Sequence, residues 1–233
     1  MLKVKQFRHN LDNLGYLIYG QNQAIAIDGG AVKEICAFIE NRKLELLFVT
    51  NTHGHADHTI GNISLLHETH ARLLRHEEIV NMGAIELEKQ KITIYNTPGH
   101  TDDSVCFHFD VSLITGDTLF NGTVGNCFSG NLKNFYQSIK NIMNLSQDTI
   151  IYPGHDYVQD SMQYARAIEP DNNDIETFLN NYNPNHVFST LMEELKVNPY
   201  LRFNENGIID LLKKHGLPWK TELQRWQSLM AME

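Results

Sequence analysis

Four side chains that can bind a metal lie within six residues, in the run His53-Gly54-His55-Ala56-Asp57-His58. By composition alone this pattern should occur about once in 500 such sequences, so it is a specific signal. Two histidines one residue apart in an extended segment point to the same side, and the Asp and His that follow turn into a helix toward a second point nearby. Neutral imidazole and carboxylate are usual ligands of zinc and similar divalent metals. The run therefore predicts a metal site.

The other ligands of this site are predicted at the ends of three apolar strands. His100 follows the strand ITIY, Asp117 follows VSLIT, and His155 follows DTIIY. Since α/β sheets place functional groups beyond the carboxyl ends of their strands, side chains in these matching positions converge. Each residue alone would be interpreted as an ordinary polar loop residue. Together with the histidine-rich run, they favour a site of five histidines and two aspartates.

The elements that must position these residues form an α/β pattern in the first two thirds of the chain. GYLIYG and QAIAID predict a hairpin, LELLFVT a buried strand, and SVCFHF and VSLIT two further strands. Helices are predicted after the hairpin, from about His58 to His67 and from about Leu132 to Met143. Short strands with interleaved helices indicate a layered α/β fold.

After about Asp156 the strand signals stop and helical patterns take over. Gly216 is predicted to cap the penultimate helix and Pro218 to lie in the first turn of the last one, where Trp219 would share a face with Trp226. The sequence thus predicts two domains, an α/β catalytic domain over residues 1–156 and a helical substrate-binding domain over residues 157–233.

Composition excludes several classes of function. The formal net charge is −9 and no basic cluster is present, which argues against a nucleic-acid partner. No apolar stretch approaches the roughly 20 residues needed to span a bilayer, and the first residues show no secretory signal pattern. Three separated cysteines predict neither a disulfide framework nor a thiolate metal site. We therefore expect a cytoplasmic enzyme with no membrane partner.

The segments THGHADHTIGN, TPGHT, GDTLF and PGHDY resemble the metal motifs of the metallo-β-lactamase fold superfamily, and most of all those of glyoxalase II, the hydroxyacylglutathione hydrolases. The later segments EPDN, STLMEEL and NPYLRF are similar to the helical tail of that family, so the resemblance runs the whole length. It implies an αββα sandwich with a C-terminal helical domain.

The resemblance also implies a role for each candidate residue. It assigns a first metal to His53, His55 and His100, and a second to Asp57, His58 and His155. Asp117 would bridge both metals, and Asp28 would brace the ligand loop through hydrogen bonds. The implied cofactors are two divalent ions, zinc in the first place, with iron or manganese as alternatives.

The activity implied is hydrolysis of a glutathione thioester, S-D-lactoylglutathione, to D-lactate and glutathione. Asp57 and Asp117 are the predicted catalytic residues, because both would act through the hydroxide that two metals generate at neutral pH. The leaving thiol has a pKa near 8.5, so its thiolate can depart with little protonation. No dedicated general acid is required.

The chain departs from the family where glutathione is bound. The family usually places a basic residue and a tyrosine in the loop after GDTLF, where this chain has Asn126 and Phe128. In the last helix Arg225 is present, but Ser228 takes the place of a lysine. Such charge-assisted bonds contribute roughly 1.5–3 kcal/mol each, so we expect a raised KM or a different thioester. The predicted substrate-binding residues are Tyr157, Asn126, Phe128 and Arg225.

Two alternatives remain from the sequence. One is a persulfide dioxygenase of the same fold with a single iron, whose relatives also carry an H-x-H-x-D-H stretch but are usually shorter after the last histidine. The other is a metal-binding relative without catalysis. A flavodiiron oxidoreductase fits less well, because those proteins resemble H-x-E-x-D-H and this chain has His55 at the Glu position.

Overall fold

A computed structural model describes residues 1–232, so the last residue of the predicted helical domain, Glu233, lies outside the described residues. The strands, β1 to β11 in chain order, are Lys3–His9, Asn13–Tyr19, Gln23–Ile27, Glu45–Thr50, Arg72–Leu73, Ala84–Leu87, Gln90–Asn96, Val105–Phe109, Ser112–Gly116, Ile150–Pro153 and Ser189–Thr190. The helices, α1 to α10, are Val32–Arg42, Ala56–Thr59, Asn62–Thr69, His76–Met82, Leu132–Met143, Val158–Ile168, Asp174–Asn181, Leu191–Val197, Asn206–Lys214 and Glu222–Met230. Within residues 1–232 no helix is long and apolar enough to cross a membrane.

The strands form two sheets that pack face to face. The first sheet has the order β1-β2-β3-β4-β5 and the second has the order β11-β10-β9-β8-β7-β6. Parallel pairs join β3 to β4, β4 to β5, and β9 to β10, whereas the remaining neighbours are antiparallel. As a result β4, β9 and β10 end at the edge where the candidate metal ligands follow.

Three apolar layers hold the sheets and helices together. Ile25 of the first sheet and Phe107 of the second belong to the layer between the sheets. Ile35 of α1 and Leu65 of α3 cover the outer face of the first sheet. The outer face of the second sheet is covered by α5 and by C-terminal helices, with Trp226 fully buried. The predicted αββα sandwich with C-terminal helices is confirmed.

Most of the predicted elements of the α/β part are present. The hairpin is β2 and β3, and the helix predicted over Leu132–Met143 is α5 with the same bounds. The single helix predicted from His58 to His67 is wrong, because α2 ends at Thr59 and α3 begins at Asn62. Gly61 lies between them against the main chain of Gly29, where an added Cβ would be 2.0 Å from the carbonyl oxygen.

The C-terminal part corrects three details of the sequence prediction. Strand signals do not stop at Asp156, since Ser189 pairs with Ile151 and adds β11 to the edge of the second sheet. Pro218 is not in the first turn of the last helix, and Trp219 is not on its face. Instead α10 begins four residues after Pro218, where the Thr221 side chain accepts a bond from the Gln224 amide. The domain boundary at residue 156 stays a prediction.

Candidate metal centre

All seven predicted ligands come together at one edge of the two sheets. The histidine-rich run leaves the end of β4, and the other three ligands follow β7, β9 and β10. They form two groups, in each of which the candidate ligand atoms lie within 4.8 Å of one another. The first group is His53, His55, His100 and Asp117, and the second is Asp57, His58 and His155.

In the first group three ring nitrogens face a common point. His55 Nδ1 lies 3.0 Å from His53 Nε2 and 3.1 Å from His100 Nε2. The side chains of His53 and His100 are almost fully buried. This arrangement requires the turn after β4, because His53 and His55 approach from one loop while His100 approaches from the next sheet.

The second group joins the start of α2 to the end of β10. His58 Nε2 lies 3.3 Å from His155 Nε2, and Asp57 Oδ2 lies 3.3 Å from the same atom of His155. The Asp57 side chain is 41% exposed, whereas His58 and His155 are buried. This group is therefore the one that opens more to solvent.

Asp117 lies between the two groups. Its Oδ2 is 3.4 Å from His100 Nε2 and 3.5 Å from His155 Nε2, and its Oδ1 is 3.3 Å from His58 Nε2. The side chain is buried, and Oδ1 has no hydrogen-bond donor with acceptable geometry. One carboxylate thus faces ligands of both groups.

The opposite nitrogens of four histidines bind protein acceptors that fix the rings. In the first group, His53 Nδ1 donates to Thr52 Oγ1 (3.1 Å) and His100 Nδ1 donates to the main-chain oxygen of Asn126 (2.8 Å). In the second, His58 Nδ1 donates to Asp28 (3.0 Å) and His155 Nδ1 donates to Asp12 (3.1 Å). Such partners set the tautomer and the orientation of a ligand ring.

Asp28 connects the two groups. It is fully buried and accepts bonds from the Thr52 amide and hydroxyl at 2.8 and 2.7 Å, in addition to the bond from His58. The structure thus places it where the resemblance expected a bracing carboxylate.

Three residues that support the candidate ligands were not predicted from the sequence: Asp12, Asn13 and Thr52. Asn13 donates to Asp57 Oδ2 at 2.8 Å, and its main chain forms a bridge with His155. Asp12 lies in the turn between β1 and β2 and Asn13 is the first residue of β2, and β1 itself was not predicted. The polar run Asn10 to Asn13, followed by an apolar run, is the signal that could have indicated this turn.

The pKa values of the histidines shift in opposite directions in the two groups. Burial, together with the neighbouring His58, lowers the pKa of His53 to about 4, and burial also lowers that of His100. Burial acts in the same direction on His58, but the Asp28 and Asp117 carboxylates outweigh it and raise its pKa to about 11. The pKa of His155 is raised too, since Asp117 and Asp12 outweigh burial. The second group therefore lies in the more negative environment.

These residues fit divalent metal ions. When the rings are neutral and Nδ1 carries the proton, the Nε2 lone pairs of His58 and His155 face each other, and those of His53 and His100 face Nδ1 of His55. Lone pairs directed at one another, beside a buried carboxylate oxygen without a donor, favour a positive charge between them, and the raised pKa of His58 reflects the same preference. Imidazole nitrogen and carboxylate oxygen are the donors that zinc, iron and manganese accept.

The four predicted substrate-binding residues have different surroundings. The Tyr157 ring stacks on His155 with centroids 5.0 Å apart, and the Phe128 ring is 66% exposed and packs edge-on against His55 (5.4 Å) and His100 (5.2 Å). The Asn126 side chain is exposed, whereas the main-chain carbonyl of this residue accepts the hydrogen bond from His100.

The structure does not bring Arg225 to the cluster. Its guanidinium donates to the Asn204 side chain and to the Trp219 carbonyl, and Ser228 donates to the Pro218 carbonyl. None of the contacts that the structure gives Arg225 within residues 1–232 reaches a metal-site side chain.

Comparisons with known proteins show which proteins the chain is similar to. Residues 156–232 match the family model for the hydroxyacylglutathione hydrolase C-terminus. Hydroxyacylglutathione hydrolase 1 of Vibrio vulnificus is 32% identical over 227 residues, which cover 91% of each chain. ETHE1 from Myxococcus xanthus superimposes with a TM-score of 0.67 at 23% identity over 99% of each chain. The BLEG-1 B3 metallo-β-lactamase gives 0.66 at 18% identity over 85% of this chain and 99% of its own. The two structural likenesses indicate the fold alone.

Proposed function

Because the chain belongs to the hydroxyacylglutathione hydrolase family, within the metallo-β-lactamase fold superfamily, we propose that it hydrolyses S-D-lactoylglutathione to D-lactate and glutathione. The observation that carries the proposal is the convergence of seven metal-capable side chains in a chain that matches a hydrolase over 91% of both sequences. This match favours the hydrolase over the dioxygenase of the same fold, since the likeness to ETHE1 is structural only.

The two groups of ligands support a site for two ions, which we assign as zinc. His53, His55 and His100 would hold the first ion. Asp57, His58 and His155 would hold the second. Asp117 would serve both, because its Oδ2 lies 3.4–3.5 Å from a histidine nitrogen of each group and its Oδ1 lies 3.3 Å from His58 Nε2.

Divalent ions bound here would supply a Lewis acid for the thioester carbonyl and lower the pKa of water from 15.7 to about 7. The chain orients the reaction around them. Asp117 is buried between the two groups, and Asn13 holds Asp57 by a hydrogen bond at the side that is open to solvent. Tyr157 stays protonated at neutral pH, since burial and the Asp12 carboxylate raise its pKa to about 12, and it can donate a hydrogen bond to the substrate.

The predicted substrate-binding residues support the proposal that the glutathione carboxylate is bound only weakly. Phe128 offers an exposed ring without a hydroxyl, and Asn126 offers no charge. Arg225 is held by Asn204 and Trp219. We therefore propose a raised KM for S-D-lactoylglutathione with an intact hydrolytic centre, and a C-terminal helical region, residues 157–233, that contributes Tyr157 to the substrate site.

Steady-state hydrolysis of S-D-lactoylglutathione by zinc-loaded protein, run beside elemental analysis and a small panel of other thioesters, tests the proposal. We expect two zinc ions per chain and a turnover that disappears on chelation. Asn126→Lys should lower KM by about tenfold with kcat unchanged, because one charge-assisted bond is added. Asn141→Lys adds the same charge to an exposed position of α5 and should leave KM unchanged.

Two results would refute the hydrolase. One is the absence of thioester hydrolysis by protein that holds two metals. The other is a single iron per chain together with thiol-dependent oxygen uptake, which would establish the dioxygenase. Arg225→Ala tests whether Arg225 binds substrate or stays bonded to Asn204. An unchanged KM is expected, and a large rise in KM would show that this side chain leaves Asn204 to bind substrate.

A further inference from the structure

A carboxylate of the C-terminal helices lies fully buried beside the loop that contains Asp117. Glu194 belongs to α8 and has no exposed surface. Its Oε2 accepts bonds from the Gly122 amide and from Asn198 Nδ2, both at 2.9 Å, and its Oε1 accepts a bond of 2.6 Å from Ser189 Oγ. All three donors are neutral. Burial raises the pKa of Glu194 to about 7 even though Ser189 and Asn198 act against it.

The segment that Glu194 binds is a tight turn over residues 120–123. The Phe120 amide donates to the Thr123 carbonyl at 3.0 Å, and Gly122 has φ +92°, which a residue with a side chain rarely adopts. Asn198, already bonded to Glu194, also donates to the Thr123 carbonyl at 3.2 Å. Asn121 Nδ2 donates to Ser189 Oγ at 2.6 Å. Every residue of the turn except Phe120 is thus bonded to this buried polar network.

The same turn is linked to the metal centre through the chain on both sides of it and through the Phe120 ring. It begins three residues after Asp117 and ends three residues before Asn126, whose carbonyl fixes His100. The Phe120 ring packs against His155 with centroids 5.9 Å apart, and against Tyr157 at 5.1 Å. A shift of the turn would therefore move a shared ligand and loosen the support of ligands in both groups.

We infer that Glu194 is a positioning residue, which holds the 120–123 turn through Gly122 and Asn198 and thereby sets the geometry of the metal centre from the C-terminal helices. An uncompensated carboxylate is unfavourable in an apolar interior. The Glu194 carboxylate accepts hydrogen bonds from three donors that converge on it. An apolar side chain could not accept any of these bonds. The kinetic readout of this inference rests on the proposed hydrolase activity, but the metal-binding readout does not.

Two substitutions at Glu194 test the inference. Glu194→Met keeps the length of the side chain but removes every acceptor, and should weaken zinc binding and lower kcat about tenfold each, with KM within about twofold. Glu194→Gln should rescue most of both losses, because its carbonyl oxygen can still accept from Gly122 and Asn198. Zinc affinity is measured by competition with a chelating dye, without substrate.

The matched control is Glu193→Met, on the same helix. Among residues 1–232 the Glu193 carboxylate bonds only to Thr190, the N-cap of α8, so its loss destabilises the helix without touching the turn. Wild-type zinc affinity and kcat are expected in this variant. Equal losses in both Met variants, or unchanged zinc affinity in Glu194→Met, would show that Glu194 only stabilises the helix and would overturn the inference.

Should Glu194→Met fail to fold, Asn198→Ala decides by the same measurements, because it removes the link from the Glu194 carboxylate through Asn198 to the Thr123 carbonyl. Loss of zinc affinity is again the supporting result and wild-type affinity the opposing one. A protein that binds zinc normally but does not cleave the thioester would refute the proposed function and leave the role of Glu194 to be judged on metal affinity.

Discussion

The two groups of candidate ligands contain similar side chains, but different hydrogen-bond partners support them. In the first group the ring nitrogens that face away from the centre bond to neutral oxygens, those of Thr52 and of the Asn126 main chain. In the second group the corresponding nitrogens bond to carboxylates, those of Asp28 and Asp12. A carboxylate partner makes an imidazole more basic and a stronger metal ligand. In the proposed two-ion site the second group should therefore hold its ion more tightly, although it is more exposed to solvent.

The same asymmetry decides what each half depends on. The neutral support of His100 is a main-chain atom, which substitution of Asn126 leaves in place. The carboxylate supports are side chains and can be changed one at a time. Asp28 is the exception to the division, since it reaches the first group through Thr52 and the second through His58.

The largest effect is expected from Asp28→Asn, which would break both halves together. The new amide nitrogen would face a donor, so His58 would carry its proton on Nε2, the nitrogen that faces the second ion. Losses at single supporting residues reach about 10–100-fold, and this one should lie near the upper value for kcat/KM. Stepwise zinc titration should show both dissociation constants raised.

The control for Asp28→Asn is Asp102→Asn, because Asp102 is exposed in the loop after His100. It should change neither zinc constant. If Asp28→Asn raised only one of the two zinc dissociation constants, the hydrogen bonds through Thr52 would not connect the two groups. Each group would then be supported separately.

The candidate ligands were easier to predict from the sequence than the residues that hold them by hydrogen bonds, for a physical reason. His53 to His58 are close in the chain, and His100, Asp117 and His155 each follow an apolar strand, so a general rule about strand ends was enough to bring them together. Asp12 and Thr52 act through single hydrogen bonds across the fold. Their types are common in turns and strands, so nothing marks them until the strands are paired.

The C-terminal part shows the same limit at the level of the fold. Helical patterns in the sequence predicted α5 and a helical region after Asp156, because the buried positions of a helix repeat within one local segment. The two-residue strand β11 and the start of α10 depend instead on contacts with Ile151 and on the Thr221 cap. The polar network of Glu194 likewise joins residues from 121 to 198, which no local pattern connects.

A smaller effect, confined to the second group, is expected from Asp12→Asn. The amide oxygen of the variant can still accept the bond from His155 Nδ1, so the change removes charge and keeps geometry. The zinc dissociation constant of the second group should rise about tenfold, while that of the first group stays the same. Equal weakening of both constants would mean that Asp12 acts through the general field of the site, and that the two halves are not supported separately.

The smallest effect is expected from Thr52→Val, which tests the first group alone. Valine has nearly the same shape as threonine but cannot accept the bond from His53 Nδ1, whereas the bond between Asp28 and His58 remains. Because the lost partner is neutral, the weaker zinc constant should rise only about threefold, the lower part of the range for neutral hydrogen bonds. Thr97→Val is the matched control, since the Thr97 hydroxyl is also buried but bonds to Thr118 rather than to a ligand. Both variants should lose similar stability in thermal unfolding, and only Thr52→Val should change metal affinity. A loss at Thr52 as large as that at Asp12 would show that a neutral support is as strong as a charged one, and the difference between the two halves would then lie in exposure alone.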